Sequence, residues 1–429
     1  MSSFITRSVS NKEFHKTLKH HVLNQILCLL LIILAFNCLP VKAQKAYKPI
    51  RIALKDKKYS DAINLIEKLK TDTTYCTDPK LYLYAIEANR GLNDALNMKL
   101  YLKQNYDTVA FFSTTYQVVI NAIKVDSIEN ENKDKKSKDT KWQRIAYDNI
   151  RHYMPNINAA ARFYYKNKKY SDAMQYLRLS LDLPHTLIGE KAHLNKDKEA
   201  INAVLYLSCA YYDKKYAETT RYKDLALSVN ASRPRMLKYL ALSAYAQNDT
   251  TNYKNWLTKG WSEYPNEPVF FTSLVDFYNQ NKQYLNTIST ADQQLKTPSL
   301  HIAAYLAKSV AFYETQQYDS CIVNADKVVV NDSANAIAYY YKGASFVGKV
   351  SQITMPTKIT SQQYKQALSK RQFFYSQAEP LLEKFRELSP NAIKLWGPLL
   401  YNTYYALNRG KKFAEIEDIL SKYMQTNKP

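Results

Sequence analysis

The 429-residue chain contains only 7 glycines but 37 tyrosines, whereas glycine makes up roughly 7% of an average protein. So few glycines argue against folds built on tight β-turns, phosphate-binding loops or dinucleotide-binding loops, because such turns need positive φ angles. Apolar residues make up 46% of the chain, which is enough for a hydrophobic core and excludes a disordered protein. The net charge of +22 indicates acidic partners or surfaces.

The N-terminal region has the features of a secretory signal peptide. Residues 26–36 form a continuous apolar run that is shorter than the roughly 20 residues of a membrane-spanning helix. The basic residues before it are Arg7, Lys12, Lys16 and Lys19. We expect cleavage after Ala43 and therefore export, with residues 1–43 as the signal peptide. Two alternatives stay open, a retained membrane anchor and a lipid attached to Cys38.

Export would leave few thiols in the mature chain. Cleavage removes Cys28 and Cys38, so that Cys76, Cys209 and Cys321 remain. Three widely spaced cysteines form neither a disulfide framework nor a metal-ligand cluster. Cys209 and Cys321 stand in apolar helical contexts, and we expect them to be buried as small hydrophobic side chains.

An internal repeat organises the rest of the sequence. The hexapeptide that starts at Lys57 (KKYSDA) returns letter for letter at Lys168. Looser copies place an anchor residue, usually aromatic, at Tyr59, Leu92, Tyr170, Tyr216, Tyr253, Tyr284, Tyr318, Tyr375 and Phe413. The compact intervals between anchors are 31 to 38 residues, which bracket the 34-residue period of tetratricopeptide repeats.

Each unit of the repeat has the pattern of a helical hairpin. An apolar helix that ends in aromatic residues is followed by a short polar turn, the anchor, and a second helix with apolar residues at helical spacing. Small residues stand near the crossing of the two helices at Ala62, Ala95, Ala173 and Cys321. The chain resembles the tetratricopeptide-repeat (TPR) family over residues 46–423. That resemblance implies an all-α, right-handed superhelical solenoid of about nine to ten hairpins, each stacked on its neighbours because none can bury its own apolar face.

Two polar segments divide the repeat array. Repeats are predicted over residues 44–123 and 142–348, and residues 371–429 are predicted to hold the last repeats and a capping helix. Residues 124–141 are rich in lysine and acidic side chains, and we expect a solvated loop or helix extension there. Residues 349–370 are expected to be a second spacer, with the next helix beginning near Gln372.

The sequence contains no convincing catalytic, cofactor or metal site. Residues 343–350 have the glycine and lysine spacing of a phosphate-binding loop, but Val350 stands where Ser or Thr should hold magnesium. The histidines His152, His185, His193 and His301 form no H-E-x-x-H motif, and none has a second histidine or cysteine at helical spacing. We therefore expect no enzyme activity, no cofactor and no metal. Nucleic acid is not expected either, because the lysines are spread along an exported chain rather than clustered.

Adjacent tyrosines are the candidates for a binding surface. Two neighbours on a helix cannot both face the same core, so one member of each pair should point inward and the other should be available for a ligand. The candidate groove aromatics are Tyr164, Tyr165, Tyr211, Tyr212, Tyr339 and Tyr340.

Five Asp-Ser or Asp-Thr steps resemble an O-glycosylation motif of bacterial envelope proteins. The acceptor hydroxyls would be Thr73, Thr108, Ser127, Thr250 and Ser333. We expect all five in turns or in the first charged insertion. The alternative interpretation is that Asp, Ser and Thr cap helices and form turns.

These features favour a non-catalytic scaffold or adaptor of the bacterial periplasm or cell envelope. The TPR resemblance implies a protein or peptide client bound in the concave face. The basic charge suggests an acidic client or an anionic envelope polymer. The alternative is an envelope glycan-binding protein of helical-repeat architecture that uses exposed tyrosines.

Overall fold

The computed structural model describes residues 45–131, 138–299 and 301–426. These ranges contain 19 α-helices, three short 3-10 helices and no β-strand. The predicted all-α solenoid class is therefore confirmed. The predicted signal peptide, its cleavage after Ala43 and Cys38 lie outside the described residues. Among the described helices, none combines the length and apolar character needed to cross a bilayer.

Within the described residues the chain divides into two compact units, the first containing 45–131, 138–215 and 222–226 and the second 216–221, 227–299 and 301–426. The helices of the first unit are α1 Lys48–Lys55, α2 Tyr59–Lys70, α3 Pro79–Tyr101, α4 Thr108–Glu131, α5 Lys141–Lys166, α6 Tyr170–Asp182, the 3-10 helix Leu183–His185, α7 Leu187–Lys191, α8 Glu199–Tyr212 and α9 Lys223–Leu227, whose last residue belongs to the second unit.

The second unit is built from five helical hairpins that follow two short 3-10 helices. Its elements are the 3-10 helices Tyr216–Thr220 and Asn230–Ser232, then α10 Arg233–Ala246, α11 Thr250–Glu263, α12 Pro268–Gln280, α13 Tyr284–Gln294, α14 His301–Glu314, α15 Tyr318–Asn331, α16 Ala336–Ser351, α17 Gln362–Leu388, α18 Ile393–Ala406 and α19 Gly410–Thr426.

Within each unit, a helix packs mainly against the helices next to it in sequence. This local pattern is that of a stack of hairpins, in which each hairpin buries its apolar face on its neighbours. The small residues Ala62, Ala173 and Cys321 are fully buried, as their position at the helix crossings requires. Ala95 is exposed instead, so its assignment to that position was wrong.

The cysteines that were expected to be buried are buried. Cys209 and Cys321 are inaccessible to solvent. Burial raises the pKa of the Cys209 thiol to about 12 and that of Cys321 to about 11. Both thiols are therefore protonated at neutral pH and serve as small apolar side chains.

The turns that end the first helices of the hairpins share one backbone geometry. After α5, Lys168 has φ 57°, its N–H donates to Tyr165 O at 3.0 Å, and the Lys169 N–H donates to Tyr164 O at 2.9 Å. These two bonds define a Schellman motif, in which glycine is the usual left-handed residue. The same pair of bonds recurs at every left-handed residue, namely Lys57, Lys103, Lys168, His193, Lys214, Asn248, Lys282, Gln316 and Asn408.

The scarcity of glycine therefore does not mean that positive φ angles are absent. Nine non-glycine residues adopt them, and no described glycine does. A left-handed conformation costs an L-residue about 1–2 kcal/mol, so these turns are held in place by the packing of the helices that they join.

Glycine at these turns is expected to stabilise the protein. Lys57→Gly, Lys168→Gly and Lys282→Gly should each raise the free energy of unfolding by about 0.5–1 kcal/mol, because relief of left-handed strain exceeds the entropy gained by the unfolded chain. The measurement is the midpoint of denaturation by urea. Lys68→Gly, at an exposed helical position of α2, is the control and should destabilise by about 1 kcal/mol. If Lys57→Gly lowered the urea midpoint as much as Lys68→Gly does, the left-handed turns would not be strained.

Most anchors occupy the start of a second helix, as predicted. Tyr59, Tyr170, Tyr284 and Tyr318 are the first residues of their helices. Two anchors were wrong, since Leu92 lies inside α3 and Tyr375 inside α17. Both helices exceed 20 residues. An apolar residue inside a long helix can lie as far from the neighbouring anchors as a residue at a turn does, so the repeat spacing alone does not distinguish the two.

The anchor rings join one hairpin to the next. Tyr170 stacks on Tyr212 of the following hairpin with ring centroids 5.2 Å apart and an interplanar angle of 24°. Tyr253 contacts Tyr245 of its own hairpin at 5.1 Å and Phe277 of the next at 6.0 Å. Such aromatic pairs contribute about 0.5–1.5 kcal/mol beyond their buried area. These tyrosines are therefore packing residues.

Glycine provides space for two of the anchors. A Cβ atom on Gly91 would lie 2.2 Å from Cε1 of Tyr59, and one on Gly348 would lie 2.4 Å from Cζ of Tyr318. Any larger residue would push the anchor ring away. Gly348 lies inside α16 together with Gly343, so the glycines of the apparent phosphate-binding loop belong to a packed helix.

The two predicted insertions are shorter than expected. Helix α4 continues to Glu131, and Val125 and Ile128 in it are buried, so residues 124–129 are packed rather than solvated and only residues 130 and 131 of this stretch are exposed. The segment 132–137 lies outside the described residues. Helix α17 begins at Gln362 rather than near Gln372, because Ser361 caps it through a hydrogen bond from the Tyr364 N–H at 3.1 Å. The second connection is therefore 352–361.

Candidate ligand-binding cleft

Three polar side chains from three helices of the first unit form a buried cluster. Asn158 of α5 accepts hydrogen bonds through Oδ1 from Ser180 Oγ of α6 and from Asn202 Nδ2 of α8, both at 2.7 Å. Asn202 Nδ2 also donates to Ser180 Oγ at 2.8 Å. These bonds fix the orientation of both amides. Asn202 is 2% exposed, and its Oδ1 receives no hydrogen bond within the described residues.

An acceptor buried without a donor costs about 1–3 kcal/mol. Asn202 lines a cleft of about 660 Å³ in the same unit. Its Oδ1 is itself closed to solvent, so a donor in the cleft reaches it once the neighbouring lining side chains shift. We call this space the Asn202 cleft. Its lining residues are Arg151, Met154, Pro155, Asn158, Ala159, Arg162, Ser180, His193, Leu194, Asn195, Asp197, Lys198, Glu199 and Asn202.

Helix α5 provides one wall of the Asn202 cleft. Its lining residues recur every three or four positions from Arg151 to Arg162 and so share one face of the helix. Pro155 lies in the middle of this face and has no N–H to donate to the carbonyl of Arg151 one turn earlier. The wall therefore presents cationic side chains and a backbone carbonyl without its usual helical partner.

Cationic side chains outnumber anionic ones in the Asn202 cleft. The cations are Arg151, Arg162 and Lys198, and the anions are Asp197 and Glu199. Arg151 Nε donates to the carbonyl of residue 192 at 2.9 Å, and Arg162 Nη1 donates to the carbonyl of residue 158 at 3.1 Å. Each guanidinium has five N–H groups, so both retain donors for an acceptor on a ligand.

A histidine outside the cleft lining contacts Glu199, which belongs to the lining. His185 Nε2 lies 2.8 Å from Oε1 of Glu199, and its Nδ1 lies 3.4 Å from Nζ of Lys196. This contact ties the segment before α7 to the start of α8. His185 therefore has a positioning role.

A second cleft of about 560 Å³ in the same unit is lined in part by the start of α5. Its residues come mainly from one face of α3 and from the first turn of α5. They are Leu54, Tyr59, Leu83, Ile86, Glu87, Arg90, Gly91, Asp94, Lys141, Trp142 and Ile145. The first helices of successive hairpins thus line both clefts, and α5 contributes to each.

The six candidate tyrosines do not line either cleft. Tyr164 is 4% exposed and stacks on Tyr176 at 5.3 Å, so it is a core residue and its assignment to a groove was wrong. Tyr165 is half-buried, with its ring edge-on to Tyr170 at 6.1 Å. Of the next pair, Tyr211 is half-buried and Tyr212 is exposed. Tyr212 alone stays a candidate in this unit.

The third tyrosine pair belongs to the core of the second unit. Tyr339 and Tyr340 are both half-buried and pack against the C-terminal hydrophobic cluster. The Tyr340 ring lies 5.2 Å from Phe385. The expectation that one member faces inward and the other is available does not hold for this pair, because both pack against that cluster.

The predicted glycosylation sites lie in turns and helix starts with one exception. Thr73 and Ser333 lie in exposed turns, and Thr108 and Thr250 are the first residues of helices. Ser127 lies inside α4 and is half-buried, so its placement in a loop was wrong. Asp72, Asp107, Asp249 and Asp332 each accept a backbone N–H two or three residues ahead. Turn and cap formation therefore accounts for four of the five aspartates.

The sequence analysis missed the residues of the Asn202 cleft. Arg151, Asn158 and Arg162 share one face of α5, and helical periodicity could have found this polar stripe. The meeting of Asn158 with Asn202, 44 positions later, depends on how the hairpins stack. Within the described residues, no group of three or more His, Cys, Asp or Glu side chains could hold a metal ion.

Comparison with known proteins supports the fold and goes no further. No protein-family model and no curated protein matches the sequence at a significant level. Among solved structures, the C-terminal part of a TPR repeat-containing protein from Cytophaga hutchinsonii is 15% identical with a TM-score of 0.40, covering 61% of this chain and 93% of that one. A TPR repeats protein from Bacteroides fragilis is 15% identical with a TM-score of 0.30, covering 62% and 98%.

Yeast Tom70 is also similar, at 11% identity and a TM-score of 0.27, covering 90% of this chain and 98% of its own. At such scores the likeness carries no argument about ligands or partners. The hairpins, their recurring turns and the anchor rings are features of the chain itself. The predicted resemblance to tetratricopeptide-repeat proteins is confirmed at the level of the fold.

Proposed function

We propose that the protein is a non-catalytic binding module that holds a protein or peptide segment in the Asn202 cleft. The observation that carries the proposal is the buried Oδ1 of Asn202, which has no donor within the described residues, in a cleft whose arginines still have donors to offer. An extended peptide supplies both complementary groups, because each residue carries one N–H and one carbonyl. A cleft of about 660 Å³ has the size of a small-ligand site, so it would hold a few residues of a longer client.

The charge of the cleft favours an acidic client. Arg151, Arg162 and Lys198 surround the buried acceptor, and the chain as a whole carries +22. Electrostatic attraction would speed encounter with an acidic partner and would weaken as salt screens it. Affinity for the client should therefore fall steeply as ionic strength rises.

The proposed location is the bacterial periplasm or cell envelope, on the N-terminal sequence alone. The apolar run at 26–36 and the preceding basic residues support a signal peptide cut after Ala43. The test is the N-terminal sequence of protein recovered from the native envelope. A start at Gln44 would support export with cleavage, and a start at Met1 would contradict it.

Site-specific photocrosslinking in the native cell tests the proposed cleft. A photoreactive residue at Ala159, which is exposed on the cleft wall, should capture a protein client. The same residue at exposed Gln247 in the second unit is the control and should not. Arg151→Ala with Arg162→Ala should reduce capture about tenfold, because charge-assisted bonds to the client are lost. Equal capture at both positions, or capture unchanged by the arginine variants, would contradict the proposal.

A glycan ligand is the second candidate, and the exposed ring of Tyr212 favours it. That side chain is 45% exposed while its ring stacks on Tyr170, an arrangement suited to carry a sugar face. Sugar hydroxyls can also donate to Asn202 and accept from the arginines. Binding of a neutral saccharide would survive high salt and be lost in Tyr212→Ala, whereas binding of an acidic peptide would show the opposite dependence.

A further inference from the structure

Two buried acceptors of the Asn202 cleft lie on one face of α8. Oδ1 of Asn202 and Oε1 of Glu199 are both closed to solvent, and neither receives a hydrogen bond within the described residues. Both side chains line the cleft. Positions three apart on a helix are neighbours, with Cβ atoms about 5–6 Å apart. One group that carries several donors can therefore reach both acceptors.

The contact with His185 leaves Oε1 of Glu199 without a donor. The Nε2 atom of that histidine is 2.8 Å away, but the contact lacks the geometry of a hydrogen bond. Among the described residues, no lysine or arginine forms an ion pair with Glu199. Lys198, the residue before it, is exposed to solvent. The carboxylate therefore keeps acceptor positions for a cationic donor.

The stability of α8 does not account for the burial of Glu199. This glutamate is the first residue of α8, where an acidic side chain complements the helix dipole. An exposed glutamate would interact with the dipole in the same way and would stay hydrated. A polar atom that is buried without a partner lowers the free energy of unfolding. The burial therefore points to a ligand that supplies the missing donor.

The part of the cleft that α5 forms carries groups of the opposite kind. Arg151 and Arg162 line the cleft and retain N–H donors beyond those that bond to backbone carbonyls. A carboxylate alone would meet these arginines, but Glu199 would repel it and Asn202 would stay without a donor. A ligand complementary to both helices carries a cationic donor and an anionic acceptor side by side.

The closed acceptors favour a compact cation. An ammonium group is a point charge with three donors that rotate freely, whereas a guanidinium is a wider, planar fork. Since Oδ1 of Asn202 and Oε1 of Glu199 are reached only when lining side chains shift, the smaller group requires the smaller shift. A primary ammonium therefore fits this part of the cleft better than a guanidinium.

We propose that the client places a primary ammonium group against Glu199 and Asn202, and a neighbouring carboxylate against Arg151 and Arg162. This inference rests on the proposed function and names the class of segment that the cleft selects. The segment is acidic and contains either a lysine or a free amino terminus, since both supply the same ammonium group.

The test measures enrichment of short acidic peptides on the full, unchanged chain. One peptide pool has acetylated amino termini and carries lysine, Nε-acetyl-lysine or arginine at a central position. A second pool has free amino termini and Nε-acetyl-lysine at that position. Peptides with an ammonium should be enriched about tenfold over fully acetylated ones, because a charge-assisted hydrogen bond is lost on acetylation. The pool that shows the enrichment identifies its source, and stronger enrichment of arginine than of lysine would overturn the proposal.

A pair of variants assigns the preference to the cleft. Glu199→Gln should abolish the enrichment and still bind the acetylated peptides. Glu190→Gln makes the same change at an exposed position of α7 outside the cleft lining and should keep the enrichment. Equal binding of ammonium and acetylated peptides, reduced for both by Arg151→Ala with Arg162→Ala, would overturn this inference and leave the proposed function standing. Binding of no peptide, or binding that the arginine variant does not change, would contradict both.

Discussion

Replacing Gly260 with alanine is expected to destabilise the second unit by about 2 kcal/mol. Gly260 is buried in α11, and a Cβ atom there would lie 2.3 Å from Cδ1 of Phe270 on α12. Phe270 is 1% exposed and is held in the core, so its ring cannot move away freely. The better helix propensity of alanine stabilises the variant by about 1 kcal/mol. The predicted value is the net effect after the cost of overpacking has offset this gain.

Gly410→Ala provides the matched control for this prediction. No atom lies within 4 Å of a Cβ added at Gly410, so this variant should be neutral or slightly stabilised. Phe270→Leu combined with Gly260→Ala should recover part of the loss, since the clash is removed. A thermal midpoint of Gly260→Ala equal to that of Gly410→Ala would show that the helices do not approach as closely as described.

The repeat was predictable because it is written in local sequence. The second copy of KKYSDA and the aromatic anchors placed the starts of the helices at Tyr59, Tyr170, Tyr284 and Tyr318 correctly. Each of these turns follows polar residues that end one helix and precede the apolar pattern of the next. The starts of these helices are determined by residues near in sequence, so they can be predicted without knowing the contacts between distant residues.

The wrong anchors show where local pattern fails. Helix α3 starts at Pro79 after the Asp78 cap, which accepts the Lys80 N–H at 2.9 Å, and it ends only at Tyr101. Leu92 has the spacing of an anchor, but nothing around it breaks the helix. Apolar periodicity is the same inside a long helix and across a short hairpin, so it cannot locate the turn by itself.

Low glycine content pointed away from turn-rich folds, and the all-α structure agrees, but it did not show how the turns are built. Lysine, asparagine, glutamine and histidine adopt positive φ angles at nine turns. Each strained residue is compensated by two backbone hydrogen bonds of the Schellman motif and by the packing of both helices. The intrinsic preference of a residue sets the free-energy cost of a positive φ angle, and the packing of the two helices can outweigh that cost.

The Asn202 cleft could be predicted only in part. A polar stripe on α5 is visible in the sequence, but the buried acceptor arises where α5, α6 and α8 meet. Ser180 and Asn202 lie 22 positions apart and hydrogen bond at 2.8 Å. The tyrosine count pointed to a site, whereas anchor tyrosines such as Tyr170 and Tyr253 pack against aromatic rings of the neighbouring hairpin.

Removing the carboxylate of Glu379 is expected to destabilise the last hairpins of the second unit at neutral pH. Glu379 is 7% exposed, and its oxygens receive hydrogen bonds from Arg409 Nη2 and Lys412 Nζ, both at 3.0 Å. Tyr404 and Lys412 donate in turn to Glu383 at 2.8 and 2.5 Å. The network joins α17 to the last two helices beside a core formed by Ala378, Leu382, Phe385, Trp396, Leu400, Tyr404 and Ile416.

Glu379→Gln should lower the free energy of unfolding by about 1–2 kcal/mol at pH 7. Loss of a buried ion-pair partner can cost 3–5 kcal/mol, but the side chains of Arg409 and Lys412 are about half exposed and regain water when their partner is removed. Glu417→Gln on exposed α19 makes the same charge change outside this network. It should leave the denaturation midpoint nearly unchanged.

The same network predicts how stability depends on pH. Burial by itself would raise the pKa of Glu379, but the hydrogen bonds and charges of Arg409 and Lys412 outweigh it and hold the pKa below its usual value. A carboxylate with a lowered pKa in the folded state contributes stability above its unfolded pKa of about 4.3, and that contribution is lost as pH falls through the folded pKa. The difference in denaturation midpoint between the unchanged protein and Glu379→Gln should therefore be largest near pH 7 and shrink below about pH 4. A difference that stays constant from pH 7 to pH 3 would show that glutamine disturbs packing rather than charge, because packing does not titrate.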